Sequence, residues 1–170
     1  LAQSSRMLRK FSSRQFLSVQ FMDEQWQRVR GTEIAPHLKQ VLRDGLVIGG
    51  THFEFLGCSG SQLRNQAAVF VSGDKRGESQ RLRSLVVENP LQFKSVAKYS
   101  ARLGLYLTTD WPTINIASEA ALCVPDLKAD NGSLVTDGAG KLAWSCAVRA
   151  TKLMELPAVP AAFQFRWAGL

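Results

Sequence analysis

Histidine and cysteine are scarce in this chain of 170 residues, and neither falls into a metal-binding pattern. The two histidines, His37 and His52, are too far apart in sequence to share a ligand motif, and the three cysteines include no Cys-x-x-Cys pair. The sequence therefore carries no recognisable metal motif. An odd number of widely spaced thiols is typical of a reducing, intracellular setting, and we expect Cys58 to have a packing or loop role.

Long apolar runs are also absent. No segment approaches the ~18 apolar residues of a membrane-spanning helix, so we expect no membrane role. The P-loop pattern GxxxxGK[ST] does not occur, and the glycine-rich segments 57–60 and 138–141 fit turns better than phosphate cradles. Asp126, Asp130 and Asp137 are the clustered acids of the last third; two of them could hold magnesium, but turn sequences surround them.

Positive charge is in excess, and it is unevenly placed. The chain has a net charge of +7, and its first hundred residues hold 15 Lys and Arg against 8 Asp and Glu. The remaining residues balance at 6 against 6. A basic half favours attraction to a polyanion such as nucleic acid. Solubility with scattered surface cations is an equally good explanation of the charge alone.

Hydrophobic periodicity predicts a mixture of helices and strands. Predicted helices cover 34–44, about 91–103 and 142–153, and predicted strands cover 16–21, 46–48, 52–56, 67–71, 105–108 and 162–167. Residues 1–15 are expected to be extended or frayed and residues 73–84 to form an exposed loop. Gly104 is expected to end the second helix, and Gly49 with Gly50 to turn a hairpin.

The second predicted helix carries a basic stripe. Lys94, Lys98 and Arg102 are spaced four residues apart and therefore share one helical face. Three cations on one face can follow a phosphate backbone. The alternative is an ordinary solvated face without a ligand.

Four strings, in this order, resemble the eukaryotic cellular RNA-dependent RNA polymerase family of the RNA-silencing type. They are LRDGLVIGG at 42–50 with FEFL at 53–56 and SGSQLR at 59–64, then VAKYSARLG at 96–104, TDGAGK at 136–141, and AFQFRWAG at 162–169. The resemblance covers about residues 30–170, and an ordered set is hard to obtain by chance. It implies an α+β chain that is a fragment of a double-psi β-barrel polymerase core.

Three segments follow from this resemblance. Residues 1–30 are expected to be a basic, partly extended N-terminal segment, and residues 31–122 a mixed α/β region preceding the first barrel. Residues 123–170 would be the truncated start of that barrel. The chain begins with Leu1 rather than Met, and its last residues read as a strand entering a turn. We therefore expect an internal fragment.

The resemblance also implies an activity. Its members synthesise complementary RNA, giving double-stranded RNA for gene silencing, by magnesium-dependent nucleotidyl transfer. The family holds Mg²⁺ on an Asp-x-Asp-Gly-Asp motif, which this sequence lacks. We therefore expect no catalytic residue, no metal ligand and no activity from this chain alone. The alternative is a non-catalytic RNA-binding or structural remnant of a truncated or decayed gene.

Phosphate-binding candidates are the site residues that the resemblance supports. Arg166 matches a position that neutralises RNA or nucleotide phosphates, and Lys141 is a weaker match. Lys98 and Arg102 match basic positions facing RNA, and Lys94 shares their stripe. The implied partners are an RNA template, nucleoside triphosphates and proteins of the silencing pathway, in the nucleus or the cytoplasm.

Overall fold

The computed structural model describes residues 4–30, 35–73, 76–87, 93, 95–136 and 138–165. These residues belong to two compact units, one within Leu1–Asp110 and the other spanning Trp111–Phe165. Among them, no helix has both the length and the apolar composition needed to cross a membrane. The chain mixes helices with antiparallel sheet, as the sequence predicts.

In its described residues, the first unit has six short strands and five α-helices. The strands are β1 Ser4–Ser5, β2 Phe16–Gln20, β3 Leu46–Ile48, β4 Thr51–Gly57, β5 Ala67–Val71 and β6 Thr109–Asp110. The helices are α1 Arg6–Lys10, α2 Ala35–Asp44, α3 Gly60–Arg64, α4 Glu78–Val86 and α5 Val96–Leu107. Four strands form an antiparallel sheet in the order β2-β5-β4-β3, while β1 pairs with β6.

The core of this unit lies where α1, α4 and α5 meet strands β4 and β5. Its buried members are Met7, Leu56, Val69, Val71, Leu82 and Leu107. Strand β5 lies inside the sheet, which explains its unbroken apolar sequence. Phe70 of this strand is fully buried and meets Phe55 edge to face, with ring centroids 5.7 Å apart.

Local signals located the predicted hairpin and the end of α2 correctly. Ile48 pairs with Thr51 across a two-residue turn in which Gly49 and Gly50 both have positive φ angles, of 56° and 76°. Such angles suit glycine and match the twist of a hairpin. Gly45, at a φ of 82°, follows the last residue of α2.

Two local predictions about the first unit were wrong. The segment 73–84 was expected to be an exposed loop, but Glu78–Val86 is helix α4, which buries Ser79 and Leu82 against the sheet. The first fifteen residues were expected to be extended or frayed, yet Arg6–Lys10 is helix α1. Met7 on that helix has no exposed surface, so tertiary packing and not local composition orders both segments.

The basic helix also differs from its prediction. It begins at Val96, with Ser95 as its cap, and it continues through Gly104 to Leu107, so no strand forms at 105–108. Gly104 lies against the backbone of the turn before α3. A Cβ atom added there would stand 2.8 Å from the Cys58 carbonyl oxygen. Glycine at this position therefore permits close packing and does not end the helix.

The second unit contains helix α6, Trp144–Leu153, close to its prediction. Most of its other residues are irregular, with a short helical turn at Ser118–Ala120 and a single bridge between Lys128 and Leu134. The predicted strand at 162–167 does not form over residues 162–165, where the rings of Phe163 and Phe165 stack at 5.6 Å. Residues 166 and 167 lie outside the described part.

Candidate nucleic-acid interface

Helix α5 presents two basic side chains to solvent. Its N-terminus is closed by Ser95, whose side-chain oxygen accepts a hydrogen bond from the Lys98 amide at 3.3 Å. Lys98 and Arg102 are both exposed and lie one turn apart, about 6 Å along the axis. Leu103 and Leu107 are buried. The predicted sharing of one exposed face by Lys98 and Arg102 is therefore present, and Lys94 lies outside the described residues.

No acidic group offsets this pair within the helix. The sequence of α5, VAKYSARLGLYL, contains no Asp or Glu. Neither Lys98 nor Arg102 forms an ion pair with any residue that the structure describes. Two adjacent cations without a counter-charge keep their attraction for a polyanion, and this attraction weakens as the ionic strength rises.

The remaining basic candidates lie elsewhere in the chain. Lys141 belongs to the second unit, where it is exposed in the loop preceding α6. Trp144, the first residue of that helix, is 71% exposed. Arg166 is outside the described residues. Lys98 and Arg102, on one exposed face of α5, are the predicted positions whose proximity the described residues show.

The first glycine-rich segment is a helix cap. Ser59 accepts a hydrogen bond on its side-chain oxygen from the Gln62 amide at 3.2 Å, and Gln62 Oε1 accepts one from the Ser59 amide at 2.8 Å. This reciprocal pair is a capping box, which closes the N-terminus of α3. The amides at 59 and 62 are satisfied by the chain's own oxygens, which supports the turn interpretation of residues 57–60.

Asp126 organises the second glycine-rich segment. Its Oδ1 atom accepts hydrogen bonds from the Thr136 hydroxyl at 2.9 Å and from the Gly138 amide at 3.3 Å. Asp130 lies in a turn that includes Gly132 at a φ of 80°, and Asp137 is outside the described residues. Asp126 and Asp130 thus have the turn roles that their sequence context favours.

The described residues include no group of three or more His, Cys, Asp or Glu side chains that could hold a metal ion. His37 is exposed on α2, and the His52 ring lies 2.8 Å from the Asp44 carbonyl oxygen at the end of that helix. Burial raises the pKa of the Cys58 thiol, which favours its unreactive protonated form.

A polar cleft of about 600 Å³ was not anticipated from the sequence. It lies between the end of α2, strand β4 and the start of α4, and is here called the α2–β4–α4 cleft. The polar side chains that line it are Arg43, Asp44, His52, Glu54, Arg76, Ser79 and Arg83. They come from three separate stretches of the sequence, so no local motif could have revealed the cleft.

Glu54 forms one wall of the cleft and is held by the start of α4. Its Oε1 atom accepts a hydrogen bond from the Gly77 amide at 2.7 Å, and its Oε2 atom accepts one from the Ser79 amide at 3.1 Å. Burial by itself raises the pKa of Glu54, but these two hydrogen bonds outweigh it and hold the pKa below its usual range. The carboxylate therefore stays ionised near neutral pH.

Arg83 fastens α4 to strand β4. Strand β3 pairs with β4 only as far as Phe53. Further along β4, Arg83 donates hydrogen bonds from Nε to the Leu56 carbonyl at 2.9 Å and from Nη2 to the Phe55 carbonyl. Its guanidinium also lies over the Phe55 ring, 5.5 Å from the centroid. Burial lowers the pKa of Arg83, and the side chain forms no ion pair in the part of the chain that is described.

Comparison with known proteins gives one consistent result. The family model described as RNA dependent RNA polymerase matches residues 1–170. RNA-dependent RNA polymerase 1 of Arabidopsis thaliana is 32% identical over 184 residues, covering 98% of this chain. RNA-dependent RNA polymerase 1 of Schizosaccharomyces pombe is 28% identical and covers 99% of it. The chain spans 16% and 15% of the lengths of these two relatives.

Proposed function

This chain belongs to the RNA-dependent RNA polymerase family, and we propose that it forms an RNA-contacting part of an enzyme that copies RNA into complementary RNA. The product would be double-stranded RNA for gene silencing. The RNA contact is proposed because Lys98 and Arg102 are exposed on α5 and no acidic residue of that helix offsets their charge. Because these are phosphate-type contacts, they would position RNA without selecting its sequence.

The core architecture is part of the same proposal. Residues 31–122 would precede a double-psi β-barrel, and residues 123–170 would begin it, with residues 1–30 as a basic extension. Lys141 is exposed before α6, in a position suited to a phosphate contact. Arg166 is proposed as a further phosphate ligand on family resemblance, and Lys94 on its four-residue spacing from Lys98. Nucleoside triphosphates and silencing-pathway proteins are the other proposed partners, inside the nucleus or the cytoplasm.

Magnesium, the metal that the family resemblance implies, finds no fitting set of ligands among the described residues. The sequence has no Asp-x-Asp-Gly-Asp motif, and the described residues offer no three-ligand cluster. No catalytic step is therefore assigned to these 170 residues, and their proposed contribution is binding and positioning. The alternative is a non-catalytic RNA-binding remnant. It would make the same RNA contacts as in the main proposal but would take no part in RNA synthesis.

Charge reversal on α5 tests the RNA contact. The double variant Lys98→Glu, Arg102→Glu should bind single-stranded RNA more weakly at low salt than the unchanged chain. The slope of log affinity against log salt concentration should fall by roughly 0.7 for each lost phosphate contact. Preference among RNA sequences should stay the same, because the phosphate backbone carries no base information.

A matched control separates this contact from general electrostatics. Lys128 and Lys152 are exposed in the second unit, and changing both to Glu alters the net charge equally. We expect the control to retain a steeper salt dependence than the α5 variant. Equal losses in the two variants, with both folds intact by circular dichroism, would contradict an RNA-binding role for α5.

A further inference from the structure

We propose that the α2–β4–α4 cleft binds a phosphate group of a nucleotide or of an RNA strand, with Arg76 and Arg83 as its cationic contacts. The cleft lies within the first unit and does not include the basic face of α5. The inference stands on the lining of the cleft and does not require Lys98 or Arg102 to contact RNA.

The guanidinium of Arg83 is held in position, but no ion pair among the described residues neutralises its positive charge. Its Nε and Nη2 atoms donate to main-chain carbonyls of β4, which fixes the plane of the guanidinium while leaving its net charge intact. The Nη1 atom takes part in no hydrogen bond among the described residues. The charge of Glu54 attracts Arg83 without forming an ion pair with it. Because a half-buried cation is costly, an anion in the cleft would offset part of the remaining cost.

Arg76 adds a second cation, which has no partner among the described residues. Its side chain is exposed at the rim of the cleft and makes neither a hydrogen bond nor an ion pair within the described ranges. Guanidinium groups bind phosphate oxygens through paired hydrogen bonds, so two of them facing one space favour a phosphate over a simple halide.

The acids that line the cleft are already engaged. Both carboxylate oxygens of Glu54 accept hydrogen bonds from the first amides of α4. Asp44 pairs with Arg43, Nε to Oδ1, at 2.7 Å. The partial positive charge of the helix N-terminus offsets part of the Glu54 charge. Arg76 and Arg83 are thus the two lining arginines that form no ion pair in the described structure, although the charge of Glu54 also attracts Arg83.

The dimensions of the cleft also suit a nucleotide. Its volume of about 600 Å³ lies in the range of small-molecule sites, roughly 300–1,000 Å³. The His52 ring at its wall could take part only through the nitrogen that does not contact the Asp44 carbonyl. The shared chemistry is a phosphate group, and its source can be a free nucleotide or a strand.

Titration of the 170-residue chain with three probes tests the proposal. The probes are pyrophosphate, uridine triphosphate and an eight-nucleotide RNA, each added without metal and followed by calorimetry. Arg76→Ala should raise the Kd of the binding probe about tenfold, since charge-assisted hydrogen bonds are lost. Arg83→Lys should also weaken binding, because it keeps the charge but removes the forked donor.

Arg14→Ala is the matched control, since it removes an exposed arginine that does not line the cleft. Tight binding of the triphosphate with weak binding of the RNA would identify a nucleotide site, and the reverse order a strand site. Saturable binding that Arg76→Ala and Arg14→Ala weaken equally would overturn the proposal, as would no saturable binding of any probe at millimolar concentration. The Lys98→Glu, Arg102→Glu variant should bind pyrophosphate as the unchanged chain does. Failure of the cleft proposal can therefore be distinguished from failure of the proposed RNA contact on α5.

Discussion

Glu54 of strand β4 closes the N-terminus of helix α4, because its Oε1 atom accepts a hydrogen bond from the Gly77 amide at 2.7 Å. Gly77 is the N-cap residue of α4 and has no side chain to perform this task itself. A residue more than twenty positions earlier therefore supplies the cap. This contact joins the sheet to the helix and shapes one wall of the α2–β4–α4 cleft.

Removing the charge of Glu54 should destabilise the fold. Glu54→Gln leaves one oxygen to accept a hydrogen bond and places an amide donor where the second amide of α4 needs an acceptor. We expect a loss of about 1–2 kcal/mol in the free energy of unfolding, the usual range for a lost cap with its helix-dipole contribution. Glu24→Gln, at an exposed position, should change it by less than about 0.5 kcal/mol.

The contribution of Glu54 should also depend on pH. Its hydrogen bonds with Gly77 and Ser79 outweigh burial and lower its pKa in the folded state. A lowered folded pKa gives stability that is present above the unfolded value, about 4.3, and that is lost as pH falls through the folded value. The difference between the unchanged chain and Glu54→Gln, measured by chemical unfolding, should therefore shrink below about pH 4. A difference that stays constant across this range would mean that the ionised carboxylate is not the cap.

Gly104→Ala should destabilise the protein although alanine is the better helix former. Helix propensity alone would favour alanine by about 1 kcal/mol. The added Cβ atom, however, would lie 2.8 Å from the Cys58 carbonyl oxygen and 3.3 Å from the Ser59 Cα atom, both backbone atoms that cannot rotate away. We expect a net loss of about 1–3 kcal/mol in unfolding free energy. Ser100→Ala, exposed on the same helix, should be neutral or slightly stabilising, and a stabilising Gly104→Ala would contradict the close packing.

The hairpin turn and strand β5 were predictable because their signals are local. The Gly49-Gly50 turn and the apolar run of β5 carry their conformational preferences within a few residues. Helix α4 could not be found this way, because its polar sequence resembles a loop and its cap comes from Glu54. The prediction that Gly104 ends its helix was wrong because the deciding contact is not local. Glycine commonly ends helices, and only the approach of the Cys58 backbone gives Gly104 another role.

The same contrast between local and long-range signals applies to the two candidate sites. Four-residue spacing was sufficient to predict that Lys98 and Arg102 share a face, since helical geometry fixes that relationship. The α2–β4–α4 cleft depends on the packing of helix α4 against strand β4, which brings Arg83 beside Phe55, positions separated by 28 residues. No periodicity in the sequence encodes such a long-range contact, so the cleft could be recognised only in the folded chain.

Nucleotide incorporation should be absent from the 170-residue chain. The sequence lacks the Asp-x-Asp-Gly-Asp motif on which the family holds magnesium, and no carboxylate cluster replaces it in the described structure. Incubation with single-stranded RNA, the four nucleoside triphosphates and Mg²⁺ should yield no labelled product above background. Template-dependent product formation would show that this chain contains its own catalytic carboxylates, contrary to our assignment.

Ser59→Ala should destabilise the fold through helix α3. Ser59 is 2% exposed, and its hydroxyl accepts the Gln62 amide and lies 3.1 Å from the Ser61 hydroxyl. Loss of a serine cap costs about 1–2 kcal/mol, and the amide left behind here is partly buried. Ser61→Ala is the matched control: Ser61 is exposed and lies outside the capping box, so its loss should cost less than about 0.5 kcal/mol.

The same pair of variants decides what the SGSQLR string does. If its purpose is to cap α3, Ser59→Ala should lower the midpoint of thermal unfolding while RNA affinity, measured well below that midpoint, stays the same. If the segment cradles phosphate instead, RNA affinity should fall in Ser59→Ala even where the fold is intact. The satisfied amides of Ser59 and Gln62 favour the first result, because a bound phosphate would have to displace hydrogen bonds of 2.8 Å and 3.2 Å that the chain already makes with itself.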